Sequence, residues 1–115
     1  MEVHVEKLGD IVVIRPSGAL DASSSKTFKE QAAPHVTDAD RVLVDLGSLQ
    51  VIDSSGLAAI LSLVRLVNAR GGDLKLCAPT RAVRTVLELV RMHRVVDTLN
   101  DREEALRVFR APMPG

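Results

Sequence analysis

Short β-branched runs and helical stripes follow one another along almost the whole chain. This succession restricts the fold more than any other feature. Ile11, Val12, Val13 and Ile14 form a continuous apolar run of strand-forming residues. The alternating stretch 3–6 precedes it across a Gly9-Asp10 turn signal, and the two predict an N-terminal hairpin. Pro16 either ends the second strand or sits where no ladder donor is needed. Over 23–33 the spacing turns helical, with Phe28 and Ala32 on one face and Ser23-Ser24-Ser25 suited to a helix start. Pro34 is expected to end or kink that helix. Val42, Leu43 and Val44 make a second continuous run, closed by Asp45, as in a strand covered on both faces.

Residues 56–69 carry the strongest helical pattern. Leu57, Ile60, Leu61, Val64 and Val67 share a face, and Ala59, Leu63 and Leu66 widen it. Ala58, Ser62, Arg65 and Ala69 are left for solvent, with Ala58, Ala59 or Ser62 as a candidate small apolar patch. Gly71-Gly72 stops the helix, and 73–78 alternates as a strand. Pro79-Thr80 opens a third helix with Val83, Val86, Leu87 and Val90 inward. Val95-Val96 predicts a short extended piece. The last helix runs from Asn100-Asp101 to Arg110, with Glu103 and Glu104 in its first turn and Arg107 and Arg110 in its last, matching the helix dipole. The expected fold is α/β: one domain over 1–110, with a mostly parallel sheet of four to five strands, an N-terminal hairpin and about four flanking helices. Residues 111–115, with two prolines, are expected to form a flexible tail.

Composition removes several function classes. The 115 residues include 15 Lys plus Arg and 15 Asp plus Glu, so the formal net charge is zero. There is no Trp or Tyr and only two Phe, which argues against direct nucleic acid binding by charge or by base stacking. Cys77 stands alone, so an internal disulfide and a four-thiolate zinc site are both impossible. It is expected to be a small buried side chain. His4, His35 and His93 lack metal-ligand spacing and read as surface residues, and no cofactor or metal set is seen. The longest apolar stretch, 57–64, is too short to cross a bilayer, and 1–6 does not look like a secretion leader. The expectation is a cytoplasmic protein without membrane insertion. No serine sits in a nucleophile elbow and no nucleophile–base pair is evident, so an enzyme is not expected. Arg81, Arg84, Arg91 and Arg94 flank the third helix, either as a solvated face or as an anion or partner contact.

Three acids fall where strands should end: Asp21, Asp45 and Asp53. In open parallel sheets, functional groups gather at the carboxyl ends of strands. Ser54, Ser55 and Gly56 follow Asp53, which puts a hydroxyl in the first turn of the long helix. There, free N–H groups and the dipole favour an anion. A phosphate ester on that serine is locally tolerated and adds roughly −1.5 to −2 charge. Simple capping by Asp53 or Ser54, with Gly56 allowing close packing, accounts for the same residues, and the two roles are compatible. Asp21 likewise suits a turn. Asp45, after a buried apolar run, calls for a partner.

The segment Val51-Ile52-Asp53-Ser54-Ser55-Gly56-Leu57 resembles the signature of anti-sigma factor antagonists, members of the STAS domain family. Gly18-Ala19-Leu20-Asp21, Val42-Leu43-Val44-Asp45-Leu46 and Gly71-Gly72-Asp73-Leu74-Lys75-Leu76 resemble, in order, the family's turn after the second strand, its central strand and its helix-to-strand joint. The resemblance implies a STAS fold and a phosphorylation-switched binding protein that regulates sigma-factor-dependent transcription. It implies that Ser54 is phosphorylated by a partner anti-sigma factor serine kinase. The unmodified protein would sequester that kinase and the phosphorylated one would release it. A metal-dependent serine phosphatase would reset Ser54. Asp21, Asp53, Ser54, Ser55, Gly56, Leu57 and Ala58 would form the partner-binding and switch region. Pro34 departs from the family pattern within the first helix. Two other functions stand beside this one: an accessory or scaffold STAS subunit of a transporter or signalling complex, and a receiver-like phosphoacceptor domain using Asp45.

Overall fold

A computed structural model describes residues 1–110. The tail expected at 111–115 lies outside the described residues. The chain runs β1 (Glu2–Leu8), β2 (Ile11–Leu20), α1 (Ser25–Val36), β3 (Arg41–Asp45), β4 (Leu49–Ile52), α2 (Ser54–Ala69), β5 (Asp73–Cys77), α3 (Arg81–Leu89), a 3₁₀ turn (Met92–Arg94), β6 (Thr98–Leu99) and α4 (Arg102–Arg110). The sheet order is β1-β2-β3-β5-β6, with β4 beside the far end of β2. Among the described residues, only the β1–β2 hairpin is antiparallel.

Alternation along the strands sorts the core into two layers. Val12, Ile14, Val42, Val44, Leu74 and Leu76 face the helices α1, α2 and α3. Ile11, Val13, Leu43 and Cys77 face α4, where Ala105 and Phe109 complete a smaller core. The continuous apolar runs are therefore strands buried on both faces, as their composition predicts. Lys75 also points to the α4 side. It is only 6% exposed, and its Nζ bonds Asp97 at 2.8 Å and Asp73 at 3.0 Å. It lies 5.2 Å from the centre of the Phe109 ring. Burial lowers its pKa, but those two carboxylates raise it further, so the net shift is upward.

Several expectations need correction. The sheet has six strands, not four or five. The extra one, β4, has four residues, of which Leu49 and Ile52 are buried and Gln50 and Val51 exposed. So short a strand shows no usable period. β2 runs through Pro16, which stands opposite Val3 beyond the stretch that pairs with β3. Its second half, from Gly18, pairs with β4, and the register shifts within that ladder between Gly18 and Ala19, where Gly18 takes a φ of +90°. α1 continues past Pro34 to Val36. A proline in the last turn removes a single helical bond, while buried Ala32 and Val36 hold the helix down. β6 lies at Thr98–Leu99 rather than at Val95-Val96. Leu66 and Val90, expected inside, are half exposed. α2 ends as read: Gly71 has a φ of +81°, and the Gly71 and Gly72 N–H groups bond Asn68 and Val67 carbonyls.

Candidate functional site

β2 and β4 end side by side, with Leu20 opposite Ile52. The Asp53 N–H donates to the Leu20 carbonyl at 3.2 Å. Asp21 and Asp53, the residues that follow these strands, therefore emerge together at one edge of the sheet. Extended backbone at Asp53 turns directly into α2. Its Oδ1 accepts from the Gly56 N–H at 3.0 Å, so Asp53 is the N-cap. Ser54 is the first residue of the helix and is exposed, as is Ala58 one turn later, while Ser55 is half-buried.

Gly56 and Leu57 are buried and seat the helix rather than face outward. A Cβ on Gly56 would stand 2.2 Å from the Leu20 carbonyl oxygen and 2.8 Å from Ile52 Cγ1. Only glycine permits α2 to approach the end of β2 this closely. The surface of the candidate region is thus Asp21, Asp53, Ser54, Ser55 and Ala58. Val51, 54% exposed on β4, lies next to it. Val51 was missed because β4 itself was missed. Ala59 is buried and leaves the proposed apolar patch.

Asp21 closes its own turn. Its Oδ1 accepts from Ser23 Oγ at 2.6 Å and from the Ser23 N–H at 2.9 Å. These bonds, with those to Ser24, hold its carboxyl below the ordinary range. Ser24 precedes α1 without capping it. Its hydroxyl instead donates to the Ala19 carbonyl at 2.7 Å and accepts from the Asp21 N–H at 3.0 Å. The edge beside Ser54 is therefore tied to β2 and carries an ionised carboxylate at neutral pH.

Asp45 has the partner its position called for. Its Oδ2 accepts from Arg102 Nε at 3.1 Å and Nη2 at 3.0 Å, and its Oδ1 accepts from the Gly47 N–H at 2.9 Å. Arg102 Nη1 also reaches Glu6 Oε1 at 2.6 Å. One guanidinium thereby fastens α4 to β3 and β1. Asp45 is on the α4 side, buried and occupied, which makes it a structural acid. No local signal links two residues 57 apart, so this pair was not legible in sequence. Burial pushes the neighbouring Cys77 thiol up to about 12, with Asp45 adding to the shift. Among the described residues, no group of three or more His, Cys, Asp or Glu is placed to hold a metal ion. No described helix is long and apolar enough to cross a membrane.

A six-stranded α/β domain with a serine at the head of the helix after β4 defines a class, and comparison with known proteins says which. The STAS domain family matches residues 2–105, and the chain belongs to that family. An anti-sigma F factor antagonist from Paenibacillus polymyxa is 25% identical over 108 residues, covering 92% of each chain. The structure of an anti-sigma factor antagonist from Mycobacterium paratuberculosis superposes with a TM-score of 0.88, at 19% identity over 96% of this chain and 94% of that one. The phosphorylated form of the Bacillus cell fate determinant SpoIIAA superposes with a TM-score of 0.70, at 22% identity over 93% of this chain and 99% of that one.

Proposed function

We propose that this protein is an anti-sigma factor antagonist switched by phosphorylation of Ser54. In its unmodified form it sequesters an anti-sigma factor that is also a serine kinase, freeing the sigma factor. The kinase phosphorylates Ser54 and the complex parts. A metal-dependent serine phosphatase restores the binding form. All of this takes place in the cytoplasm. The observation that carries the reading is an exposed serine, Ser54, at the first position of a capped helix, flanked by Asp53 and the Asp21 turn, in a member of the STAS family. Relatives named as antagonists, and a related fold described in a phosphorylated form, support it.

The physics needs no large change of fold. A serine hydroxyl can be hydrogen-bonded in a dry interface. A phosphate dianion there must give up its water, which costs several kcal/mol unless cations replace it. α2 carries one charged side chain, Arg65, far down the helix, so nothing in its first turns compensates. Asp53 and Asp21 add like-charge repulsion. The helix N-terminus meanwhile tolerates the phosphate in the free protein. Incubation with ATP and candidate anti-sigma factor kinases, followed by peptide mass spectrometry, tests the assignment. Phosphate is expected on Ser54 and absent from Ser54→Ala. Phosphate confined to Ser55 or elsewhere would overturn it.

A further inference from the structure

β1 is the outermost strand of the sheet, and among the described residues it has no neighbour beyond it. Its seven residues pair with β2 in one unbroken register, without bulge or proline. Sheet edges are ordinarily short, bulged or interrupted by proline, because a long regular edge is a template for another strand. The bonds of β2 show which groups of β1 are free. The Gly18 N–H points away from β1, to the Ser48 carbonyl at 3.1 Å, and Pro16, two residues earlier, has no N–H. Bonding direction alternates along a strand. The odd residues of β2, from Ile11 to Ser17, therefore bond the even residues of β1 that stand opposite them. Val3, Val5 and Lys7 aim their N–H and C=O groups outward.

Side chains decide what fits this edge. Two copies joined edge to edge about a twofold axis normal to the sheet run antiparallel, and residues directly opposite share a face. Odd residues then meet odd, and even meet even. Centred on His4, such a pairing sets Glu2 against Glu6 of the second copy, twice; centred on Glu6, it sets that residue against itself. Centred on Val5, it uses all seven residues of β1, opposes no like charges and places His4 opposite Glu6 of the second copy at both ends. Val3, Val5 and Lys7 meet Lys7, Val5 and Val3, so every outward backbone group gains a partner. His4 and Glu6 fall at the non-hydrogen-bonded positions, where opposite side chains come closest. Their side chains are 59% and 51% exposed, and Arg102 already holds Glu6 in place.

We propose that a second copy of this chain adds to the β1 edge, antiparallel and in the register centred on Val5, so that one sheet runs through a closed dimer. The contact is small and belongs at the weak end of specific interfaces.

Sedimentation equilibrium of the full-length protein tests this. The average mass should rise from 12.4 kDa toward twice that value as concentration approaches about 1 mM. His4→Glu puts like charges opposite each other at both ends and should weaken association by about tenfold or more, whereas His4→Lys makes both pairs permanently attractive and should tighten it. Position 4 is exposed, so neither change disturbs the core. Amide exchange should slow at Val3, Val5 and Lys7 as the dimer fills. A monomeric mass at that concentration, equal association of His4→Glu and His4→Lys, or association that leaves the Val5 amide unprotected would overturn the proposal.

Discussion

Gly56→Ala is the sharpest perturbation of the switch region that leaves every polar group in place. The added methyl would lie 2.2 Å from the Leu20 carbonyl oxygen and 2.9 Å from Leu20 Cγ. The nearest atom is backbone, and the same oxygen already accepts the Asp53 N–H at 3.2 Å. Relief therefore requires α2 to lift from β2, stretching the Asp53 bond and opening the core around Ile52 and Leu57. Overpacking of this kind costs about 3 kcal/mol at the upper end of its usual range. Alanine returns up to ~1 kcal/mol through helix propensity. The net loss is ~2 kcal/mol, or a fall of roughly 10 °C in Tm for a domain of this size. Urea unfolding followed by circular dichroism measures it, and the slope m should stay constant while the midpoint drops. Gly71→Ala is the control. It meets no atom within 4 Å and is strained only by its φ of +81°, so it should cost about 1 kcal/mol. A Gly56→Ala midpoint equal to wild type would refute the close approach of helix and strand.

Other parts of the structure give independent outcomes. Asp53→Ala removes the N-cap of α2 and should destabilise by about 1 kcal/mol in the same unfolding assay. Cys77, buried with its thiol near pH 12, should resist iodoacetamide at pH 8 in the folded protein and react once urea unfolds it. The folded pKa of Lys75 lies above its ordinary 10.5, so its contribution to stability is complete below that pH and is lost as pH rises through the folded value. Alkaline unfolding should accordingly lose a component in Lys75→Met. Arg91→Gly should raise stability by up to ~1 kcal/mol, because glycine carries no penalty at that backbone conformation.

The legible parts of the fold were those written in local pattern. The runs at 11–14 and 42–44 and the stripe of α2 each contain enough residues to show a period, and each became the element expected. β4 escaped because four residues cannot show one. It exists through pairing with β2 and through the buried side chains of Leu49 and Ile52, which are tertiary facts. Pro34 misled in the opposite direction, since a local penalty in a last turn yields to the burial of Val36. At the site, the residue types around Asp53 and Ser54 were readable as a helix start. Their juxtaposition with Asp21 depends on the Leu20–Ile52 register, and the Asp45–Arg102 pair on the docking of α4, so neither could be read along the chain.

The proposed switch stands or falls on one comparison: the affinity of the unmodified and the Ser54-phosphorylated protein for the cognate anti-sigma factor kinase, by titration calorimetry at one salt concentration. An uncompensated phosphate at the head of α2 predicts binding weaker by about a hundredfold or more, a loss of ~2.7 kcal/mol. Equal affinity of the two forms would contradict it.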